Sequence, residues 1–452
     1  MRTFLSIALL SMALPAFSAE VKSRRALDQI AVRGMADGPS EAPDMALKVP
    51  ERYWTVVRCA SKQDRSRLAE IGMDVAEVGK GVASGVVSQE ILDAITKAGF
   101  KVQFKTSLNN YNRSLGRDFP DKDSAYHNYD EQSALLADIA KHNEGMASVG
   151  SAGKSDGGMG ISVIKIGLPN PKYDSLDPNA PKKPAIALVG QHHAREHISA
   201  EVPLNVASFL ASNKSDPKIK KLLEEVDVYI IPSVNPDGGA FDIATGRYRM
   251  WRKNTRKLPD GNIGVDLNRN YDSYWCQQGA SHYTGADTYC GPAPFSEPET
   301  QTVKAFFDSH PEITMCIAYH SYGGIVMYPW GGTDANIGSA KDLEVFTKMT
   351  EKVASFTGFD PQKSSDMYVA GGDFADWAYA AHKVFALTIE LPPGGGSYGG
   401  FYPGPEAIGA TSPGNIDAVV FLMGFADDPY RLLEKEPKSI LDLAGLTKKT
   451  TK

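Results

Sequence analysis

The feature that most constrains this chain is an alternation that begins near residue 126. Short, apolar, β-rich runs at 161–166, 185–189, 226–231, 313–319 and 384–391 are separated by segments of helical spacing at 200–223, 297–310, 343–358 and 374–382, with an amphipathic stretch at 129–142 ahead of them. Runs that are apolar throughout have no polar face to offer to water, so each must be covered on both sides. The intervening helices supply that cover. The expected class is α/β, with a largely buried sheet, over residues 124–425.

A different order precedes it. Residues 53–58 read as a strand, 64–71 as a helix, 73–78 and 81–88 as strands, 90–98 as a helix and 100–105 as a strand. This βαββαβ order is that of a small ferredoxin-like α+β unit, placed at 53–106. It holds no cluster of His, Cys or carboxylates at ligand spacing, so a steric or recognition role is expected of it. Residues 107–123 are polar and offer Arg113, Arg117 and Lys122 to a protease, which makes them a candidate activation linker. Residues 20–52 have no sustained periodicity and read as a linker. At the N-terminus, Arg2, an apolar run over 4–14, Pro15 and small residues up to Ala19 read as a signal peptide, 1–19, and so as secretion or a periplasmic location. Residues 426–452 are highly charged and read as an appended tail.

Composition narrows the function. The 48 basic and 54 acidic residues give a formal charge of −6, with no basic excess to displace counterions from a phosphate backbone, so no nucleic-acid partner is expected. No apolar run reaches membrane-spanning length, so no membrane association is expected once the signal is removed. Four cysteines in a chain of 452 residues cannot form a disulfide scaffold. Cys59 and Cys316 read as buried thiols, whereas Cys276 and Cys290, in a Gly/Ser/Tyr-rich stretch, could close a local disulfide.

The densest chemical signal is Gly190-Gln191-His192-His193-Ala194-Arg195-Glu196-His197, after one apolar run and before a helical one. His193 and Glu196, three apart, can converge on one metal ion from a single turn. His320, at the end of the 313–319 run, supplies a third donor. Two His and one Glu leave a coordination position open, which is the pattern of a catalytic zinc site. His192, His197 and His282 are set aside as ligands: the first two point off the turn that holds His193 and Glu196, and the third lies in a loop without metal spacing.

With these residues stand Asn235-Pro236-Asp237-Gly238, Trp251-Arg252-Lys253-Asn254, Gly264-Val265-Asp266-Leu267-Asn268-Arg269-Asn270, Pro294-Phe295-Ser296-Glu297-Pro298-Glu299, His320-Ser321-Tyr322 and Thr388-Ile389-Glu390-Leu391. In that order the series resembles the zinc carboxypeptidases of the carboxypeptidase A/B type, over most of 124–425. The resemblance implies a mixed, mostly parallel central sheet flanked by helices, preceded by a ferredoxin-like inhibitory prosegment. It implies one Zn²⁺ per chain on His193, Glu196 and His320, with Asp266 behind His193, Glu390 as general base and Arg252 stabilising the oxyanion. Asn268 and Arg269 would hold the substrate α-carboxylate, with Arg195 on the approach path, Ser321 and Tyr322 in the cleft and Tyr368 capping it.

The position that separates A-type from B-type preference is Ala375, matching neither. Asp373 resembles an acidic pocket residue of bacterial members that accept both apolar and basic C-terminal residues. Gly331 would leave the pocket wall open and Lys363 would neutralise Asp373. The implied partners are peptide or protein C-termini and an activating protease, with the chain acting as a monomer. A same-fold peptidase of cell-wall peptides is a rival, against which Asn268-Arg269 with Tyr368 speaks. A non-catalytic peptide-binding homologue is another, but it would lack one of His193, Glu196, His320, Arg252 or Glu390, and all are present.

Overall fold

Local signals set the first elements. Ser61 caps a helix and forms a reciprocal capping box with Asp64, and Gly72 ends that helix at φ 116°, a left-handed conformation that glycine adopts without strain. The computed structural model describes residues 51–108, 119–173, 181–392 and 400–446. The described residues fall within one compact unit. The expected signal peptide, and Arg113 and Arg117, lie outside the described residues.

The N-terminal elements are β1 (Arg52–Arg58), α1 (Lys62–Ile71), β2 (Asp74–Gly79), β3 (Val82–Ser88), α2 (Gln89–Lys97) and β4 (Lys101–Ser107). They build an antiparallel sheet in the order β2-β3-β1-β4, the expected βαββαβ arrangement. Val57, Leu68, Met73, Ile91 and Ile95 form its core.

The larger body contains α3 (Tyr129–His142), β5 (Ala147–Lys154), β6 (Gly160–Ile166), β7 (Ala185–Val189), α4 (Ile198–Ser212), α5 (Pro217–Glu225), β8 (Asp227–Ile231) and α6 (Pro236–Ile243). It continues with α7 (Pro298–Ser309), β9 (Ile313–Ser321), β10 (Ile325–Tyr328), α8 (Ala340–Thr357), β11 (Asp360–Lys363), α9 (Ser364–Met367), α10 (Phe374–His382), β12 (Phe385–Leu391), α11 (Glu406–Met423) and α12 (Ile440–Leu443). Its eight strands run β11-β10-β12-β9-β7-β8-β6-β5. The β8/β7/β9/β12 centre is parallel, and antiparallel pairs join it to β10 on one side and to β6 on the other. The sheet is mixed and helices cover both faces. Ile186 and Leu188 of β7 enter the cluster formed with α4, α8 and α11, while Ala187 and Val189 enter the one formed with α7 and α10.

Two expectations are corrected. The segment 200–223 is not one helix: it breaks before Pro217, where the Asp216 side chain caps α5 by accepting from the amides of Lys218 and Ile219. The charged C-terminal segment is not an appendage from residue 426, because Ala426, Leu432, Ile440 and Leu441 are buried in the main core. Strands β5, β10 and β11 and helices α6, α9, α11 and α12 were not foreseen. Among the described residues no helix is long and apolar enough to cross a membrane.

Candidate active site

The order of strands creates the site. From β7 the chain first adds β8 on one side and later β9 on the other, so the crevice at the carboxyl ends of β7 and β9 is a topological switch point, where ligands bind in open α/β sheets. The chain leaves β7 through Gly190, where a Cβ would lie 2.3 Å from the Ser199 carbonyl oxygen, so only glycine lets the following turn pack this closely. That turn delivers His193 and Glu196, and β9 delivers His320.

All three side chains are buried. His193 Nδ1 lies 2.7 Å from Glu196 Oε1, His320 Nδ1 lies 3.0 Å from Glu196 Oε2, and the two Nδ1 atoms are 3.2 Å apart. Burial would raise the Glu196 carboxyl, but His193 and His320 outweigh it and hold the group below its ordinary range. Asp266 Oδ1 sits 3.3 Å from His193 Nε2, leaving Nδ1 to face the shared point. Asp266 also receives Arg252, with Nε and Nη2 each 2.9 Å from Oδ2. Two imidazole nitrogens and a carboxylate converging on one point fit a zinc ion.

Glu390 pairs in register with His320 across the parallel β9/β12 ladder and so reaches the same level of the cleft. Burial, reinforced by Glu196 and opposed by Arg252, Arg269 and Arg195, raises it well above the usual carboxylate range. Arg252 brings Nη1 to 3.3 Å from His193 Nδ1. Asn268 accepts from the Phe374 amide through its oxygen at 2.9 Å, which leaves its NH₂ free to point elsewhere. Arg269 is braced by the Gly279 carbonyl and donates to the Tyr368 hydroxyl at 3.0 Å. These residues line one cleft with Ser321, Tyr322, Gly331 and Asp373.

Asp373 caps α10, accepting from the Asp376 amide at 2.9 Å, and a Cβ on Gly331 would lie 2.6 Å from its other oxygen. Gly331 therefore makes room for the carboxylate. Burial pushes Asp373 up to about 6, against the pull of Arg269. Two pocket expectations fail. Lys363 does not neutralise Asp373, since it donates to the Asp334 carbonyl at the surface. Ala375 is not on the cleft wall but in the apolar cluster with Phe307 and Trp377, because it is two helical positions on from Asp373 and faces the sheet.

The three histidines set aside as ligands offer no nitrogen to the donor set: His192 bonds Tyr271, His197 bonds Gln191 and Asp242, and His282 lies beside Cys276. Cys276 and Cys290 are joined, and Cys59 and Cys316 are free and buried.

The cleft holds something the sequence did not announce. Asp74, on β2, is ion-paired with Arg195 and places Oδ1 3.0 Å from Arg252 Nη1. Asp74, Val75 and Ala76 line the cleft themselves. Glu77 accepts from the Tyr322 hydroxyl at 2.8 Å, and α1 grips the Tyr368 segment: Arg65 donates to the Met367 carbonyl and Ser66 accepts from the Val369 amide. The disulfide-closed loop adds further contacts, with Asp287 paired to Arg52 and Thr288 donating to the Ala69 carbonyl. Asp74 carries no motif of its own, so only the assembled cleft reveals it.

Comparison with known proteins agrees with this geometry. A family model described as zinc carboxypeptidase matches residues 133–418. A zinc carboxypeptidase of Saccharothrix mutabilis subsp. capreolus is 28% identical over 412 residues, covering 87% of this chain and 93% of that protein. Carboxypeptidase B of Astacus astacus is 31% identical over 317 residues, covering 68% of this chain and 99% of that one. The solved structure of carboxypeptidase A from Helicoverpa armigera superposes with a TM-score of 0.64 at 21% identity, covering 82% of this chain and 98% of that chain, and so shares the fold.

Proposed function

The chain belongs to the zinc carboxypeptidase family and is a metallocarboxypeptidase, and we propose that it is made as a secreted zymogen that removes single residues from the free C-termini of peptides and proteins. The observation that carries this reading is the convergence of His193, Glu196 and His320 within one cleft that also holds Glu390, Arg252 and Arg269.

The cleft residues divide the reaction among them. Arg269 presents a guanidinium fork to the substrate α-carboxylate, assisted by the Asn268 NH₂, and this requirement for a free carboxylate makes the enzyme an exopeptidase. Tyr368 covers the bound residue from the side of Arg269. His193, Glu196 and His320 would hold a zinc ion, which when bound would supply Lewis-acid chemistry for a carbonyl and for water near neutral pH. Glu390 accepts the proton of the attacking water and passes it to the amide nitrogen as the C–N bond breaks, so a free amino acid leaves and a new C-terminal carboxylate forms. Arg252 donates to the oxygen on which negative charge develops. Asp266 keeps both His193 and Arg252 in place. Asp373 gives the pocket a carboxylate among Met327 and Met367, which suits both basic and apolar C-terminal side chains.

The zymogen reading is supported by Asp74, which offers its carboxylate to Arg195 and Arg252 as a substrate would. Residues 53–106 are the prosegment in this reading, and a protease cutting within 107–123 frees the cleft. Secretion or a periplasmic location is supported by the N-terminal apolar stretch and by the Cys276–Cys290 disulfide, since such bonds persist in oxidising compartments. The test compares one N-terminally blocked peptide as the free acid and as the C-terminal amide. The activated chain should release a single residue from the acid and none from the amide; equal cleavage of both would contradict the reading.

A further inference from the structure

The two histidine donors are held in different ways. Nε2 of His193 has the Asp266 carboxylate 3.3 Å away, an ion-pair contact rather than a hydrogen bond, whereas Nε2 of His320 is buried with neither a hydrogen-bond partner nor a carboxylate beside it among the described residues. A metal-binding imidazole ordinarily has its second nitrogen tied to a partner that fixes the ring plane. For His320 the restraint that the described residues supply is packing.

The surface packed against it is another imidazole. The His192 ring lies 5.5 Å from the His320 ring, with the planes within 15° of parallel. His192 is wholly buried and fixed from other directions. Its Nε2 is 2.8 Å from the Tyr271 hydroxyl, its ring rests on Phe374 at 5.4 Å, and Asn235 donates to its carbonyl at 3.0 Å. Tyr271 follows the carboxylate-binding Asn268–Arg269 segment and donates its amide to the Gly372 carbonyl at 3.0 Å. One side chain thus joins the first donor turn, the third donor and the segment that holds the substrate carboxylate. An aliphatic residue would fill the same space but offer neither a flat face nor a polar edge.

We propose that His192 is a positioning residue for the metal site, setting the ring plane of His320 by parallel stacking while Tyr271 holds His192 in place. The proposal rests on the zinc carboxypeptidase reading and concerns this chain's own residues toward the ion. Its test uses the full chain stripped of metal. Zinc affinity is measured by competition with a chromophoric chelator, and the visible absorption of the Co²⁺-loaded protein reports donor geometry.

His192→Leu should weaken zinc binding about tenfold or more and alter the Co²⁺ spectrum. His192→Phe, which keeps a flat face, should fall between Leu and wild type, and Tyr271→Phe should give a smaller loss. After activation, His192→Leu should lower kcat and leave KM near its wild-type value. A merely space-filling role would lower Tm while zinc affinity and the Co²⁺ spectrum stay at wild-type values, and that result overturns the proposal. Should the Leu variant fail to fold, wild-type affinity and spectrum in both His192→Phe and Tyr271→Phe overturn it equally. A wild-type chain that binds no zinc would instead sink the underlying reading, so the two failures are distinguishable.

Discussion

Asp74 Oδ1 lies 3.0 Å from Arg252 Nη1, and both side chains are buried where the N-terminal unit meets the cleft. An anion from outside the catalytic body therefore occupies the group proposed to meet the developing oxyanion. Truncating one partner of a buried interfacial charge pair typically costs about 2–5 kcal/mol, because the other charge is left without a partner. Asp74→Asn should accordingly raise the basal hydrolysis rate of the uncleaved chain by at least about tenfold. Initial rates on a small blocked substrate before any proteolysis check this; a rate equal to that of wild type would show that Asp74 does not restrain the cleft.

Glu390 and Arg269 should fail in different kinetic ways. Glu390→Gln removes the proton acceptor and should cost about 10²–10⁴ in kcat while zinc content is retained. Arg269→Gln removes the fork and should raise KM about tenfold to hundredfold, the range for hydrogen bonds to a charged group. Steady-state kinetics with metal analysis separates the two, and an unchanged kcat in Glu390→Gln would remove that residue from the mechanism.

Asp373 sets a pH dependence of preference. Burial raises its carboxyl to about 6, and it faces Arg269 and the Asp376 carboxyl, which is itself pushed well above its ordinary value by burial and by Asp373. Below about 6 the group is protonated and the pocket is neutral; above it the pocket gains a negative charge. The ratio of kcat/KM for C-terminal Lys to that for C-terminal Leu should rise between pH 5 and 7.5 in the wild type, those two values bracketing the Asp373 transition. In Asp373→Asn the ratio should be flat, and a parallel rise in the variant would refute the assignment.

Glu299 makes a stability prediction of definite sign. Burial raises its carboxyl from 4.5 to about 8, and its oxygens accept from the Asp156 amide and the Asn254 side chain. A folded-state value above the unfolded one means that the favourable protonated state is fully present below pH 4.5 and is lost progressively as pH rises through 8. Glu299→Gln removes the ionisation, so its Tm relative to wild type should increase from pH 5 to pH 8, a window inside that transition. A Tm difference independent of pH would contradict the argument.

The parts of this molecule that were legible in its sequence are those where one local signal determines the outcome. His193 and Glu196 could be paired because three residues make one turn, and His320 because it ends an apolar strand. The βαββαβ order was readable because each element carries its own period. Helix α11 was not, since Gly409, Pro413 and Gly414 lie within it and its apolar residues mark no single face. Strand β5 is built mostly from Ala, Ser and Gly at an exposed edge, and Val149 is the single β-branched residue it offers to announce a strand. Asp74 and Ala375 were missed or misplaced for a different reason: their roles are set by what packs opposite them, and that is a tertiary fact.

The most direct test of the account is mass spectrometry of one peptide incubated with the chain before and after limited tryptic nicking, with and without a zinc chelator. The account predicts loss of a single C-terminal residue only after nicking, abolished by the chelator. An intact peptide after nicking in the presence of added zinc would contradict it.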